Sequence, residues 1–375
     1  MSKLNSITIR GYRSFREATL QLRCINVLIG ANGAGKSNLV SFFKMLNELM
    51  AGHLQQYVGL TGGASSNLHF GPKFTQHLEA ELEFETDSGG INTYRMQLSH
   101  AAGDTLIFTE ECLSFLKLGS ISTRKNQLGG GHKETLIGTT ANEKNDPSMQ
   151  TAKVFRHLLN NCRVFHFHDT SSTARVRNSG YIGNDKPLMP DAGNLAAVLF
   201  RLQSKSPGTY QRIVNTIQQI APFFNDFVLE PSGSADKNII LNWRHHKSDI
   251  IFGPHQLSDG TLRAICLVSL LMLPVEELPI LIVIDEPELG LHPYAITLLA
   301  SLIKQAATSS QIIVSSQSPL LLDYFEPEDV LVTDRVNGAT QLTHLDSKDL
   351  EEWLKEYSLG ELWEKNEIGG RPRSD

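Results

Sequence analysis

Apolar and polar positions along the chain follow three different rhythms, and each predicts a different kind of element. Leu4 to Arg10 alternates, as a half-buried strand does. Glu17 to Leu22 reads as a second strand after the turn Gly11-Tyr12-Arg13-Ser14-Phe15. Ile25 to Ile29 is a short, mostly apolar strand, and Asn38 to Leu46 has the spacing of an amphipathic helix. Ala51 to Phe74 carries Gly59, Gly62, Gly63 and Gly71 and is expected to be irregular. His77 to Thr86, Ile91 to Ser99 and Thr105 to Lys117 alternate again, as consecutive strands joined by Asp87-Ser88-Gly89-Gly90 and Ala102-Gly103-Asp104. Gly119 to Gln150 loses all rhythm and reads as a mobile insertion with little core of its own.

The second half is richer in helix. Ala152 to Asn160, Asp191 through Leu202 and Tyr210 to Ile220 are expected helices. Arg163 to His168, Asn225 to Glu230 and Asn238 to Trp243 are expected strands. The region 151–257 is thus a helical and β insertion ahead of a long helix, Ser258 to Leu273. Ile280 to Ile284 is wholly apolar, as strands covered on both faces are. Tyr294 to Ala307 is a helix, with strands at Gln311 to Ser315 and Asp329 to Thr333. The polar tail, 363–375, is expected to fray. The fold class is α/β in one unit, 1–375, with no internal repeat or heptad array.

Composition narrows the picture modestly. The chain has 375 residues, 41% of them hydrophobic and 20% charged, as a globular protein does. A formal net charge of -6 gives no overall basicity, so DNA contact would need a local patch. Cys24, Cys112, Cys162 and Cys266 are scattered without a C-x-x-C pair, which argues against structural zinc and disulfides and fits a reducing cytoplasm. No signal peptide or membrane span is expected.

Chemistry enters at Gly30-Ala31-Asn32-Gly33-Ala34-Gly35-Lys36-Ser37. It matches the phosphate-loop pattern G-x-x-x-x-G-K-[ST], between a strand and a helix. Glycines let successive N–H groups turn toward phosphate oxygens, and the helix N-terminus adds partial positive charge. Asn32 to Asn38 would cradle the phosphates, with Lys36 on the terminal ones and Ser37 on Mg2+. A second carboxylate is needed, and Leu281-Ile282-Val283-Ile284-Asp285-Glu286-Pro287 supplies it at the end of a buried strand. Asp285 would orient Mg2+, and Glu286 would polarise the water that attacks the γ-phosphate. Leu257-Ser258-Asp259-Gly260 opens an apolar helix, a further anion-binding helix start.

Taken in order, the phosphate loop, the Leu-Ser-x-Gly segment, the Asp-Glu-Pro strand end and Ser315-Ser316-Gln317-Ser318-Pro319 resemble the heads of ABC-type ATPases. The likeness runs from Ile7 to about Thr333 and is to the RecF, SMC and OLD-like branch. Within it the chain is similar to stand-alone AAA-annotated ATPases of bacterial defence and mobile loci. Supporting segments are Asp285-Glu286-Pro287-Glu288-Leu289-Gly290-Leu291-His292-Pro293, Leu68-His69-Phe70-Gly71-Pro72 and His166-Phe167-His168-Asp169-Thr170-Ser171. The resemblance implies a mixed central sheet, an N-terminal antiparallel β-subdomain and a helical signature subdomain. It implies ATP and Mg2+ as ligands, with Arg13 approaching the nucleotide. It also implies a composite site, in which Ser258, Asp259 and Gly260 of a second copy cap the γ-phosphate and Glu288 to His292 lie along the seam. ATP would then drive a homodimer or higher homo-oligomer. The family's switch histidine is replaced by Gln317, which cannot carry a proton, so slow hydrolysis is expected. Its Q-loop glutamine is not identifiable among Gln55, Gln56 and Gln76.

The function implied is a cytoplasmic sensor or regulatory ATPase in phage defence or DNA maintenance. It would act with a separate effector, possibly a nuclease, since the chain has no coiled-coil arm and too short a tail for an appended nuclease domain. A RecF-like DNA-repair ATPase and a slowly hydrolysing nucleotide-bound scaffold are the alternatives. His166 and His168 share a strand face beside Asp169, which suits either a metal site or packing within the head. Arg175-Val176-Arg177 and Arg244-His245-His246-Lys247 suit solvated loops or phosphate-backbone contact.

Overall fold

The computed structural model describes residues 2–120, 122–144, 146–231 and 237–370. Strands β1 (Lys3–Tyr12) and β2 (Phe15–Gln21) form a hairpin, and β3 (Ile25–Ile29) leaves for a different sheet. The phosphate loop follows β3 and leads into α1 (Lys36–Met50). The glycine-rich stretch expected to be irregular instead holds α2 (Leu54–Leu60) and α3 (Gly63–Asn67). These are short helices held by tertiary burial of Leu54, Tyr57 and Ala64 rather than by propensity. Then come β4 (His77–Glu85), β5 (Ile91–Ala101), β6 (Thr105–Leu116) and β7 (Thr123–Gly129). They complete an antiparallel sheet in the order β2-β1-β4-β5-β6-β7.

The expected mobile insertion is therefore partly built into this sheet. Strand β7 is its polar outer edge, where lysine and arginine are the ordinary protection against stray pairing. Beyond it α4 (Ile137–Thr140) buries Ile137 completely. Residues 121 and 145 of that segment lie outside the described residues.

Helix α5 (Met149–Asn160) leads to β8 (Cys162–Phe165), which stops before the two histidines. The middle region contains β9 (Gly180–Tyr181), α6 (Leu195–Lys205), α7 (Pro207–Ile220) and β10 (Phe224–Val228). Three further short strands follow, β11 (Asn238–Ile239), β12 (Asn242–His245) and β13 (Ile251–Phe252). The last third runs α8 (Asp259–Leu271), β14 (Leu281–Asp285), α9 (Pro293–Ala306) and β15 (Gln311–Ser315). It ends in α10 (Pro319–Leu322), β16 (Val330–Val336), β17 (Ala339–His344), α11 (Ser347–Leu350) and α12 (Leu359–Lys365).

The second large sheet has the order β17-β16-β3-β15-β14-β8, parallel except for β17 at its edge. Its central strands β3, β15 and β14 read as nearly unbroken apolar runs because both faces are covered. Val27, Ile29, Ile282, Ile284, Ile312 and Val314 enter one core with residues of α6 to α9. Leu28, Leu281, Val283, Ile313 and Leu331 enter the other, shared with α1, α5 and the antiparallel sheet. The parallel register pairs Asp285 with Ser315 and Ser315 with Leu28, which brings three chemically important loops to one sheet edge.

The described part of the tail expected to fray, 363–370, is held in place. A reciprocal Ser358–Glu361 capping box starts α12, Leu362 and Ile368 are buried, and the Gly370 N–H donates to Asp334 at 3.0 Å. Residues 371–375 lie outside the described residues. Among the described residues no helix is long and apolar enough to cross a membrane. All four cysteines are free thiols.

Candidate functional site

The turn from β3 to α1 needs glycine at particular points. Gly35 has φ 124°, and a Cβ there would lie 2.1 Å from Thr340 Oγ1. That threonine is a brace the sequence did not advertise. Its hydroxyl sits 2.7 Å from both the Ala34 carbonyl and Ser14 Oγ, and Asn38 donates to the same Ser14 at 2.7 Å. The β16–β17 hairpin thus fixes the loop from outside. Lys36 folds back to donate to the Gly30 carbonyl and, at 3.2 Å, to the Ala31 carbonyl. Burial lowers its pKa, against the opposing pull of Glu286, Asp285 and Glu288. A cavity of about 120 Å³ over the loop is lined by Asn32, Gly33, Lys36, Ser37 and Asn38, with Gln317 on its far wall.

The carboxylates emerge from β14. Asp285 ends the strand, and no described residue donates a hydrogen bond to its carboxylate. A carboxylate at a strand end and an exposed Ser37 hydroxyl are the oxygen donors that suit the hard, partly hydrated Mg2+ ion. Glu286 has φ 41°, a left-handed conformation that turns its side chain toward the loop side of the sheet edge. Its amide donates to the Ser315 carbonyl at 2.8 Å, and its carboxylate accepts a hydrogen bond from the Gln317 side chain. Sequence reasoning placed these two residues in one site, and the structure joins them directly.

Glu288, which the resemblance puts at the edge of a dimer seam, turns inward within its own chain, accepting hydrogen bonds from Ser316 Oγ at 2.7 Å and the Gln317 amide at 3.0 Å. Its second oxygen is buried without a partner. Burial raises its pKa, partly countered by those bonds. Beyond it Leu289, Gly290 and His292 are exposed and Leu291 is half-buried.

The signature segment opens α8 with Ser258 as N-cap, accepting from the Thr261 amide at 3.2 Å. Ser258 and Asp259 are exposed, and neither they nor Gly260 line the loop cavity of the same chain. Gly260 is there because α8 crosses the strand-end loop closely; a Cβ would lie 2.4 Å from the Gly290 carbonyl. Arg263 ties the helix to the Leu289 and His168 carbonyls, each at 3.0 Å. Arg177, read as part of a solvated basic cluster, is buried instead. It donates to the carbonyls of Thr170, Pro254 and Leu257 and to the Asp259 carboxylate at 2.9 Å.

Arg13 sits beside the loop helix, bonded through its guanidinium to Asn67 and Tyr57. With Ser14, Asn38, Phe70, Arg335 and Gly338 it borders an open cavity of about 710 Å³. The side chain of Gln55 is engaged with the Leu106 and Lys133 carbonyls beside the antiparallel sheet. His166 and His168 do converge with a carboxylate, but it is Asp285 rather than Asp169. Asp169 caps its own turn through Ser171.

Two family models match the chain. One, described as "AAA domain, putative AbiEii toxin, Type IV TA system", covers residues 164–323, and an "AAA ATPase domain" covers residues 2–94. No curated protein sequence matches. Among solved structures the chain is similar to an Smc head bound to the C-terminal winged-helix domain of ScpA. That match has 13% identity and a TM-score of 0.59, covering 94% of this chain and 99% of that one. An Smc head from Pyrococcus furiosus, with an extended coiled coil and bound to a ScpA domain, matches at 12% identity and a TM-score of 0.59, covering 95% and 99%. One from Pyrococcus yayanosii matches at 11% and 0.53, again covering 95% and 99%. The fold is that of an ABC/SMC-like ATPase head.

Proposed function

We propose that the chain binds ATP with Mg2+ on the loop and hydrolyses it between two copies arranged head to tail. The observation that carries this reading is a division of labour within one chain. Loop, Asp285, Glu286 and Gln317 meet at one sheet edge, whereas the capped start of α8 is exposed and absent from the loop cavity. A helix N-terminus presented to solvent is ready to meet a γ-phosphate held by another copy.

In this reading Lys36 exchanges its loop carbonyls for phosphate oxygens, and Ser37 and Asp285 hold Mg2+. The ion supplies charge neutralisation for the β- and γ-phosphates. Glu286 accepts the proton of the attacking water, and Gln317 orients Glu286 and the water as a neutral donor. Ser258 and the N–H groups of 259–260 from the second copy bind the γ-phosphate. The cavity beside Arg13 and Phe70 takes the nucleoside, with the exposed Phe70 ring as a stacking face.

The biological role we assign is a sensor or regulatory ATPase that acts with a separate effector, such as a nuclease. The toxin–antitoxin wording of the matching family and the Smc heads bound to ScpA domains support this reading. One observation favours slow turnover: Gln317 occupies the switch and already bonds Glu286, so no protonatable group stands there. The protein would then be governed by which nucleotide it holds. Glu286→Gln tests the core of the reading. With ATP and Mg2+ it should elute as a stable dimer by light scattering, and a strictly monomeric elution refutes it.

A further inference from the structure

We propose that His166, His168 and Asp285 form a three-ligand site for a first-row divalent transition metal. Ligand atoms from all three side chains lie within 4.8 Å of one another. Metal–ligand bonds of about 2.0–2.2 Å put neighbouring donors roughly 3 Å apart, so small rotamer adjustments close the set. The sequence could not show this. Asp285 comes from β14, far along the chain, and reaches the histidines only because β14 pairs in parallel with β8.

Packing of two histidines within the head would leave a different signature. Buried imidazole nitrogens in a structural role are hydrogen-bonded. Here His166 Nε2 is buried and has no partner. Neither the His168 ring nor the Asp285 carboxylate receives a hydrogen bond from the described residues. Their surroundings are otherwise well satisfied: the His168 carbonyl accepts from Arg263, and the His166 amide donates to the Pro190 carbonyl. Three metal-binding side chains converge with their ligand atoms free, while their backbone is fixed.

The donor set selects the ion. Two imidazoles and one carboxylate favour Mn2+, Co2+, Ni2+ or Zn2+ over Mg2+, which prefers oxygen and retains water. Because Asp285 also belongs to the proposed nucleotide site, the bound ion sits beside the phosphates. The inference rests on the ATP-site reading only for that neighbourhood, since the metal is taken up without nucleotide.

The test uses tag-free full-length protein without nucleotide. Co2+ is titrated by visible absorption and calorimetry, and Mn2+, Zn2+ and Mg2+ are competed against it. The expected result is one saturable Co2+ per chain, with ligand-field bands, at an affinity at least about tenfold above that for Mg2+. His168→Asn and Asp285→Asn should each weaken it by about ten- to a hundredfold with unchanged circular dichroism. No saturable Co2+ binding, or binding that both variants retain, overturns the proposal. Binding of a fluorescent ATP analogue with Mg2+, measured separately, shows whether the nucleotide reading stands regardless.

Discussion

Glu286 sits where chemistry and backbone strain coincide, and two substitutions separate them. Its φ of 41° costs a non-glycine residue about 1–2 kcal/mol. Glu286→Gly removes that strain and the charge that pushes against Glu288. The glycine returns roughly 0.5–1 kcal/mol by making the unfolded chain more flexible. Gln317 loses its acceptor, but Gln317 is exposed and water replaces the bond. The net is a gain of about 0–1.5 kcal/mol in unfolding free energy. Glu286→Gln keeps the strain and still offers Gln317 an amide oxygen, so its stability stays within about 0.5 kcal/mol of the parent. Turnover should fall about 10²- to 10⁴-fold in both, the contribution of a positioned general base. That is roughly 2.7–5.4 kcal/mol of barrier. Urea unfolding without nucleotide and phosphate release under saturating Mg-ATP measure the two quantities. A Gly variant less stable than the Gln variant refutes the strain argument. Either variant keeping more than about a tenth of the parent turnover refutes the catalytic one.

Two further substitutions probe the supports of the site. Arg177→Met keeps the apolar stem but strips the donor from three backbone carbonyls, so it should cost about 2–4 kcal/mol in urea unfolding; a loss under about 1 kcal/mol contradicts its bracing role. Glu288→Gln tests the raised carboxyl pKa. Above the folded pKa the ionised group carries its full desolvation cost in the native state, and below the ordinary value of 4.5 it is neutral in both states. The stability of the variant relative to the parent should therefore be highest near neutral pH and shrink toward pH 4.5, and the opposite trend excludes the reading.

The sequence made the site legible where chemistry is local. Gly30 to Ser37 and Asp285-Glu286 are contiguous patterns whose spacing suggests the roles proposed for them, and the short apolar runs at β3, β14 and β15 are covered strands as expected. It was illegible where partners come from distant segments. Thr340 looks like any strand threonine until it lies against Ala34 and Ser14. Arg177 looks like surface charge because nothing nearby in sequence reveals the carbonyls that enclose it. Strand β7 and helices α2, α3 and α12 escaped notice for a different reason. Each is short, without the sustained periodicity that marks an element in sequence, and burial by the rest of the molecule decides its form. The inward contacts of Glu288 were hidden in the same way, because its two donors, Ser316 and Gln317, come from the switch loop far along the chain.

Those donors give the site its mechanical logic. The Gln317 amide and the Ser316 hydroxyl hold Glu288, and the next residue, Leu289, offers its carbonyl to Arg263 of α8. Gly290 then lies against Gly260 so closely that no side chain fits between them. Arg263 also grips the His168 carbonyl, and Arg177 grips Asp259 at the helix start. From the switch residue to the exposed N-terminus of α8 there is an unbroken tract of hydrogen bonds and one glycine contact. Packed interiors deform little, so a displacement of Gln317 by a phosphate group cannot be absorbed by slack along that route. In the dimeric reading this matters because the two ends serve different nucleotides. There Gln317 would touch the ATP of its own loop, while Ser258 would touch the ATP of the partner copy. In that reading the tract would link one composite site to the other through the buried carboxylate of Glu288. A glutamate there, with one oxygen bonded and the other unpartnered, is costly to bury. That cost is reasonable for a residue that holds the switch loop in place through Ser316 and Gln317.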